Sequence, residues 1–212
     1  MNKRTIISWV LVCVGIFAAV SGIVIAGTSF QDPPAMIKQP AQAKNTVTGF
    51  MSAVCEGDHV LASQMIQGLP ELGINDGPAD PVGAIIWDAY WSSARFELVG
   101  DCYATDSGVA QNVSFTHLDV SSVSEHLRER SMEILQQRVA QAADPSEIYD
   151  ENNEYREDLV MSILEEAAQQ IIDEDAELVT VQLTVNLCYD DGQWKIAADK
   201  ELIDQLFFGC LF

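Results

Sequence analysis

The chain of 212 residues carries Lys+Arg 11 against Asp+Glu 32, a formal net charge of -21. That length holds one domain, or one domain with an appendage. The acidity disfavours nucleic acid, whose binding needs Lys and Arg to displace counterions, and disfavours electrostatic docking on anionic lipid; an apolar content of 48% is too high for a disordered acidic tail.

Lys3 and Arg4 are the only charged residues before Asp32. Between them, Thr5 to Gly27 reads TIISWVLVCVGIFAAVSGIVIAG, long enough to cross a hydrocarbon core of about 20 apolar residues. Two preceding cations place the N-terminus in the cytoplasm. The alternative is a cleaved signal peptide, whose apolar core is shorter, about 7–15 residues; Val24 and Ala26 before Gly27 form a weak cleavage site. Cys13 follows Val12, where a lipoprotein signal wants Gly or Ala. Gln31 to Gln42, with three prolines, is a stiff spacer. The expected division is a cytoplasmic stub at 1–4, a transmembrane anchor at 5–27, a Pro-rich linker at 28–40 and an extracytoplasmic α+β domain at 41–212. Without Lys3 and Arg4, nine basic residues face the 32 acidic ones.

The first element of that domain is an amphipathic helix over 41–56, with Ala43, Val47, Phe50, Met51 and Val54 on one face. Gly57-Asp58 breaks and recaps the chain. Val60, Leu61, Met65 and Ile66 form the apolar face of a second, short helix. Residues 68–79 read as loop. Asp80-Pro81 pairs an N-cap with proline at the first helical position, opening a third helix that holds Ile85, Ile86, Trp87, Ala89, Tyr90 and Trp91.

At Arg95 the pattern turns to strand. Two strands meet at Asp106-Ser107-Gly108, with Val109, Gln111, Val113 and Phe115 on one face and a bulge expected at Gly100. Ser122 to Glu125 matches a capping box opening a helix whose stripe is Val123, Leu127, Ile134, Leu135 and Val139. A further helix begins near Glu154, with Tyr155, Leu159, Ile163, Ala167 and Ile171 on one side. Then Val179, Val181, Leu183, Val185 and Leu187 alternate with Thr180, Gln182, Thr184 and Asn186, and Asp191-Gly192 signals a hairpin into Trp194, Ile196 and Ala198. Lys200 to Phe208 is a last helix. Helices and hairpins without β-α-β alternation indicate an antiparallel sheet with helices on it.

The segment FMSAVCEGD at its start, and LTVNLCYDDGQWKIAADKELIDQL at its end, resemble nuclear-transport-factor-like and cystatin-like domains, in particular membrane-attached domains of Gram-positive bacteria. The resemblance implies N-terminal helices packed on a curved antiparallel sheet, with the two helices between the hairpins as an insertion. It implies an extracytoplasmic binding or assembly module taking a small molecule or a protein, with a homodimer through the sheet as one arrangement. A minority of the wider superfamily are isomerases and dehydratases working in the concave pocket.

Enzymatic work there would need a proton-moving cluster, for which Tyr103, His117 and Asp119 are the candidates; Asp119 also suits the strand–helix junction as a cap. Asp150, Glu151, Asn152 and Glu154 supply oxygens of the kind calcium takes, without the EF-hand pattern; carboxylates at a helix start are favoured by its dipole without any ion. Cys102 and Cys188 each precede a hairpin turn and are the candidate disulfide; the alternative is that the cysteines are small buried hydrophobes. Trp87, Tyr90 and Trp91 read as core before they read as a ligand platform, and Trp194 on the second hairpin reads as core. Asn112-Val113-Ser114 matches the glycosylation sequon but lies within a strand. No P-loop, dinucleotide fingerprint or G-x-S-x-G elbow occurs, so no cofactor is expected. The sequence therefore points to a non-catalytic module at the cell membrane, with a small-molecule isomerase or hydro-lyase as the alternative.

Overall fold

The computed structural model describes residues 40–67, 78–106, 108–174, 176–197 and 200–207. The anchor, the linker before Pro40, Cys13 and Cys210 lie outside them. Among the described residues no helix is long and apolar enough to cross a membrane. The fold is α+β, with a four-stranded antiparallel sheet and helices. The chain divides into two compact units: one takes the described parts of 78–90 and 118–177, the other those of 40–77, 91–117 and 178–207.

The second unit holds the sheet. Its helix α1 (Pro40–Cys55) buries the expected stripe of Ala43, Val47, Phe50, Met51 and Val54. Gly57, at φ 71, takes the left-handed conformation that ends a helix cheaply only at glycine. Asp58 then caps α2 (His59–Gln64) by accepting the Leu61 N–H at 2.9 Å. The expected apolar face of α2 is corrected here. Val60 and Leu61 are 56% and 45% exposed, and only Ala62 and Ile66 are buried. The reason is that Ile66 lies beyond the helix and pairs with the sheet edge: the Ile196 N–H bonds Met65 O, and the Gln67 N–H bonds Ile196 O.

Strands β1 (Arg95–Thr105) and β2 (Gly108–Leu118) form the first hairpin. Their register shifts between Val99 and Tyr103, and Gly100 has φ 70, the bulge that the glycine signalled. β3 (Leu178–Asp190) and β4 (Gln193–Ile196) form the second. Asp191 and Gly192 both have positive φ, the geometry whose twist suits a two-residue hairpin. The strand order is β1-β2-β3-β4, so the helical excursion after β2 returns the chain to the neighbouring position. Three side-chain bonds fix the register of the central pair: Asn112 with Thr184, Ser114 with Gln182, and Thr116 with Thr180.

Odd-numbered residues make the other face. Val113, Phe115, Leu183, Val185 and Leu187 are all buried there. Helix α1 lies against both outer strands, β1 and β4, while α6 (Lys200–Phe207) lies against β3. Leu202, Ile203 and Leu206 of α6 are buried.

Gln111 is a polar residue on this apolar face and is fully buried. Its Nε2 donates to Val99 O at 3.0 Å and Asn112 O at 2.9 Å, and its Oε1 accepts from Cys102 Sγ. The bulge interrupts the ladder at this point, and the amide bonds a carbonyl of each strand beside it. Gln111→Leu removes those bonds at a buried position and is expected to cost about 1–3 kcal/mol, read as a lower melting temperature. An unchanged or higher one would show that the bulge does not need the amide.

The first unit contains most of α3 (Pro81–Ser93), then α4 (Val120–Gln141) and α5 (Glu157–Glu174). Asp80 Oδ1 accepts the Gly83 N–H at 2.7 Å, with Pro81 at the first helical position as expected. Helix α4 starts before the anticipated capping box, because Asp119 accepts the N–H groups of Ser121 and Ser122 and outcompetes Ser122 as the cap. Leu127, Ile134 and Leu135 are buried, as are Ile163, Leu164, Ala167, Ala168 and Ile171 of α5, but Val139 is exposed. Arg130–Glu174 and Arg138–Glu166 ion pairs run along the antiparallel seam of α4 and α5. Helix α5 starts three residues later than its apolar spacing implied, because Tyr155 pairs with Tyr149 instead of joining the helix.

Candidate functional site

The three proton-transfer candidates are each engaged by different neighbours. Tyr103 is buried and donates its hydroxyl to Asn112 Oδ1 at 3.2 Å, on the polar side of the sheet. His117 is buried on the opposite, apolar side, its ring 5.2 Å from that of Phe115. Asp119 spends its carboxylate on the start of α4. Residue parity separates the first two: the bulge puts Tyr103 opposite Ala110, which shares a face with Asn112 and not with His117. The same buried position of Asn112, whose Oδ1 also accepts from Thr184, leaves the glycosylation sequon without an exposed acceptor.

The acidic run is organised by the backbone. Asp150 Oδ1 accepts the N–H groups of Asn152 and Glu154, both at 2.9 Å. These bonds, that from Glu154 foremost, hold the Asp150 carboxyl below its ordinary value. Asn153 adopts φ 59, a conformation asparagine tolerates, and Tyr149 and Tyr155 close the loop with ring centroids 5.1 Å apart. The side chains of Glu151, Asn152 and Glu154 are exposed. Among the described residues no group of three or more His, Cys, Asp or Glu is placed to hold a metal ion.

Cys102 and Cys188 are free thiols. They lie on β1 and β3, with β2 between, so the anticipated meeting on adjoining strands does not occur; both strands flank β2 and neither flanks the other. Cys102 bonds Gln111 and Cys188 bonds Gln67. Burial raises both thiols above their ordinary value, and burial with Glu56 pushes Cys55 up to about 11. A thiol held protonated is a poor nucleophile. Of the aromatic candidates, Tyr90 and Trp91 are buried, as a core reading requires, whereas Trp87 and Trp194 are only half-buried.

Trp194 lines a cleft of about 350 Å³ in the sheet-bearing unit. Helix α1 contributes Gln42 and Thr46 from its N-terminal half. The end of α2 contributes Gln64 and Met65. The second hairpin contributes Gln193, Trp194 and Lys195. Two local features build this recess. The pairing of Met65–Gln67 with Ile196 brings the α2 end alongside β4, and Gly49 of α1 leaves room for the Met65 side chain, which a β-carbon there would meet at 3.1 Å. Trp194 is set by Tyr189 across the hairpin, ring centroids 5.2 Å apart and edge to face, while the Tyr189 hydroxyl donates to Gly192 O. The indole Nε1–H of Trp194 has no protein acceptor among the described residues. Of these residues the sequence marks Met65 as an apolar helix face, Gly192 as a turn and Trp194 as core, none of them as part of a cleft. Gln42, Thr46 and Gln64 carry no pattern in the sequence, because nothing local announces that they converge on a hairpin far along the chain.

No family model matches the chain, and neither does a curated protein or a solved structure.

Proposed function

We propose that the chain is a single-pass membrane protein that holds its α+β domain outside the cell as a non-catalytic binding or assembly module. The observation that carries the second part is the packing of the sheet's apolar face. A pocket enzyme of the cystatin-like kind needs that face open and lined by converging ionisable groups. Here Phe50, Met51 and Val54 of α1, and Phe115, Leu183 and Val185 of the sheet, are fully or nearly fully buried. Tyr103, His117 and Asp119 are tied to structural partners instead. A sheet wrapped on its first helix is the arrangement that the cystatin-like resemblance implies, with a recess left at the hairpin end.

The first part rests on the run from Thr5 to Gly27, its flanking Lys3 and Arg4, and the proline-rich spacer before Pro40. The test is extraction of membranes from cells expressing the full chain. The chain is expected to stay in the pellet through alkaline carbonate and high salt, and to leave it only with detergent. Release by carbonate would contradict the anchor.

A further inference from the structure

We propose that the cleft between α1, the α2 end and the second hairpin is a binding site for a neutral saccharide. The inference rests on the binding-module reading and names its ligand class. Among the described residues the lining has no carboxylate, although the chain carries Asp+Glu 32 against Lys+Arg 11. It offers instead the Thr46 hydroxyl oxygen as an acceptor, its proton being given to Gln42 O at 3.2 Å, and three glutamine amides, groups that donate and accept together. A sugar hydroxyl does the same, so paired bonds form without leaving a charge unmatched. Trp194 adds a rigid aromatic surface, half-buried and held by Tyr189. The C–H faces of a pyranose ring stack on such a surface, because the indole face is electron-rich. The volume of about 350 Å³ lies near the lower end of small-ligand sites, roughly 300–1,000 Å³, enough for a short stretch of saccharide. An anionic polymer fits less well. Lys195 is the single cation of the lining among the described residues, and Asp190 and Asp191 stand on the same hairpin within a strongly acidic chain, so a polyanion meets net repulsion.

The test is calorimetric titration of the detergent-solubilised full chain with chitotetraose, cellotetraose and, separately, a tetragalacturonate. Saturable binding of at least one neutral tetrasaccharide is expected, weakened about tenfold or more by Trp194→Ala, as for an aromatic anchor at the centre of an interface. Gln42→Ala and Gln64→Ala, at exposed helical positions that leave the core intact, are expected to weaken it severalfold at an unchanged melting temperature. This pair keeps the test valid if Trp194→Ala disturbs the hairpin. Binding of the tetragalacturonate alone would overturn the neutral-ligand assignment and leave a ligand-binding module standing. Binding of none of the three would overturn the saccharide proposal, while carbonate extraction judges the membrane reading independently. Neutral binding indifferent to Trp194, Gln42 and Gln64 would place the sugar elsewhere and likewise overturn the proposal.

Discussion

Phe50→Ala is expected to cost about 3–5 kcal/mol, the range for truncating a buried phenylalanine. Phe50 is fully buried on α1, between turns that also bury Val47, Met51 and Val54. That helix lies against both outer strands, so its stripe is where the sheet's apolar face finds cover. Removing the ring costs its transfer free energy and leaves a cavity that close-packed neighbours fill only in part. The loss is large against a total stability of roughly 5–15 kcal/mol. For a chain of this size it corresponds to a melting temperature lower by about 6–20 °C. Phe50→Leu keeps most of the volume and is expected to cost less than half as much. Equal melting temperatures for the two variants would show that the ring is not buried against the sheet.

Gly108→Ala comes next, at about 3 kcal/mol, the upper part of the range for overpacking. The register of Asn112 with Thr184 and Ser114 with Gln182 brings the start of β2 opposite Cys188. A β-carbon at Gly108 would fall inside the van der Waals envelope of the Leu187 carbonyl oxygen. The obstacle is backbone, so no rotamer change relieves it. The strands have to part at the edge of the central pair, or the turn after Asp106 has to move. A melting temperature lowered by about 6–12 °C is expected. A shift within about a degree of the parent would mean that β2 and β3 do not approach each other in this register.

Local chemistry made much of this architecture readable. Asp191-Gly192 announced the second hairpin, Gly100 the bulge, and Asp80-Pro81 the start of α3, because in each case a backbone requirement can be met by few residue types. Alternation along β3 separated its apolar and polar faces correctly for the same reason, a period of two imposed by the strand. Competition between neighbours was harder to read. Asp119 and Ser122 are both good caps, and the structure gives the role to Asp119, which accepts the Ser121 and Ser122 N–H groups. Val60 and Leu61 were misplaced because apolar residues at helical spacing say nothing about which neighbour is present to cover them. Long-range convergence was the least legible. Tyr103 and His117 are separated by a face change that depends on how the bulge resets register, and the cleft joins residues from three distant segments. Trp194 read as core and is only half-buried, because a tryptophan on a short edge strand serves either role.

Placement of the α+β domain outside the membrane is the central claim, and its most direct measurement is an epitope's accessibility on intact cells. The loop from Asp150 to Glu154 is exposed and closed at its base by Tyr149 and Tyr155, so a short epitope inserted after Glu151 should leave the helices on either side in place. Antibody is expected to label intact cells as strongly as permeabilised ones. Labelling that appears only after permeabilisation would put the domain on the inner side and contradict the account.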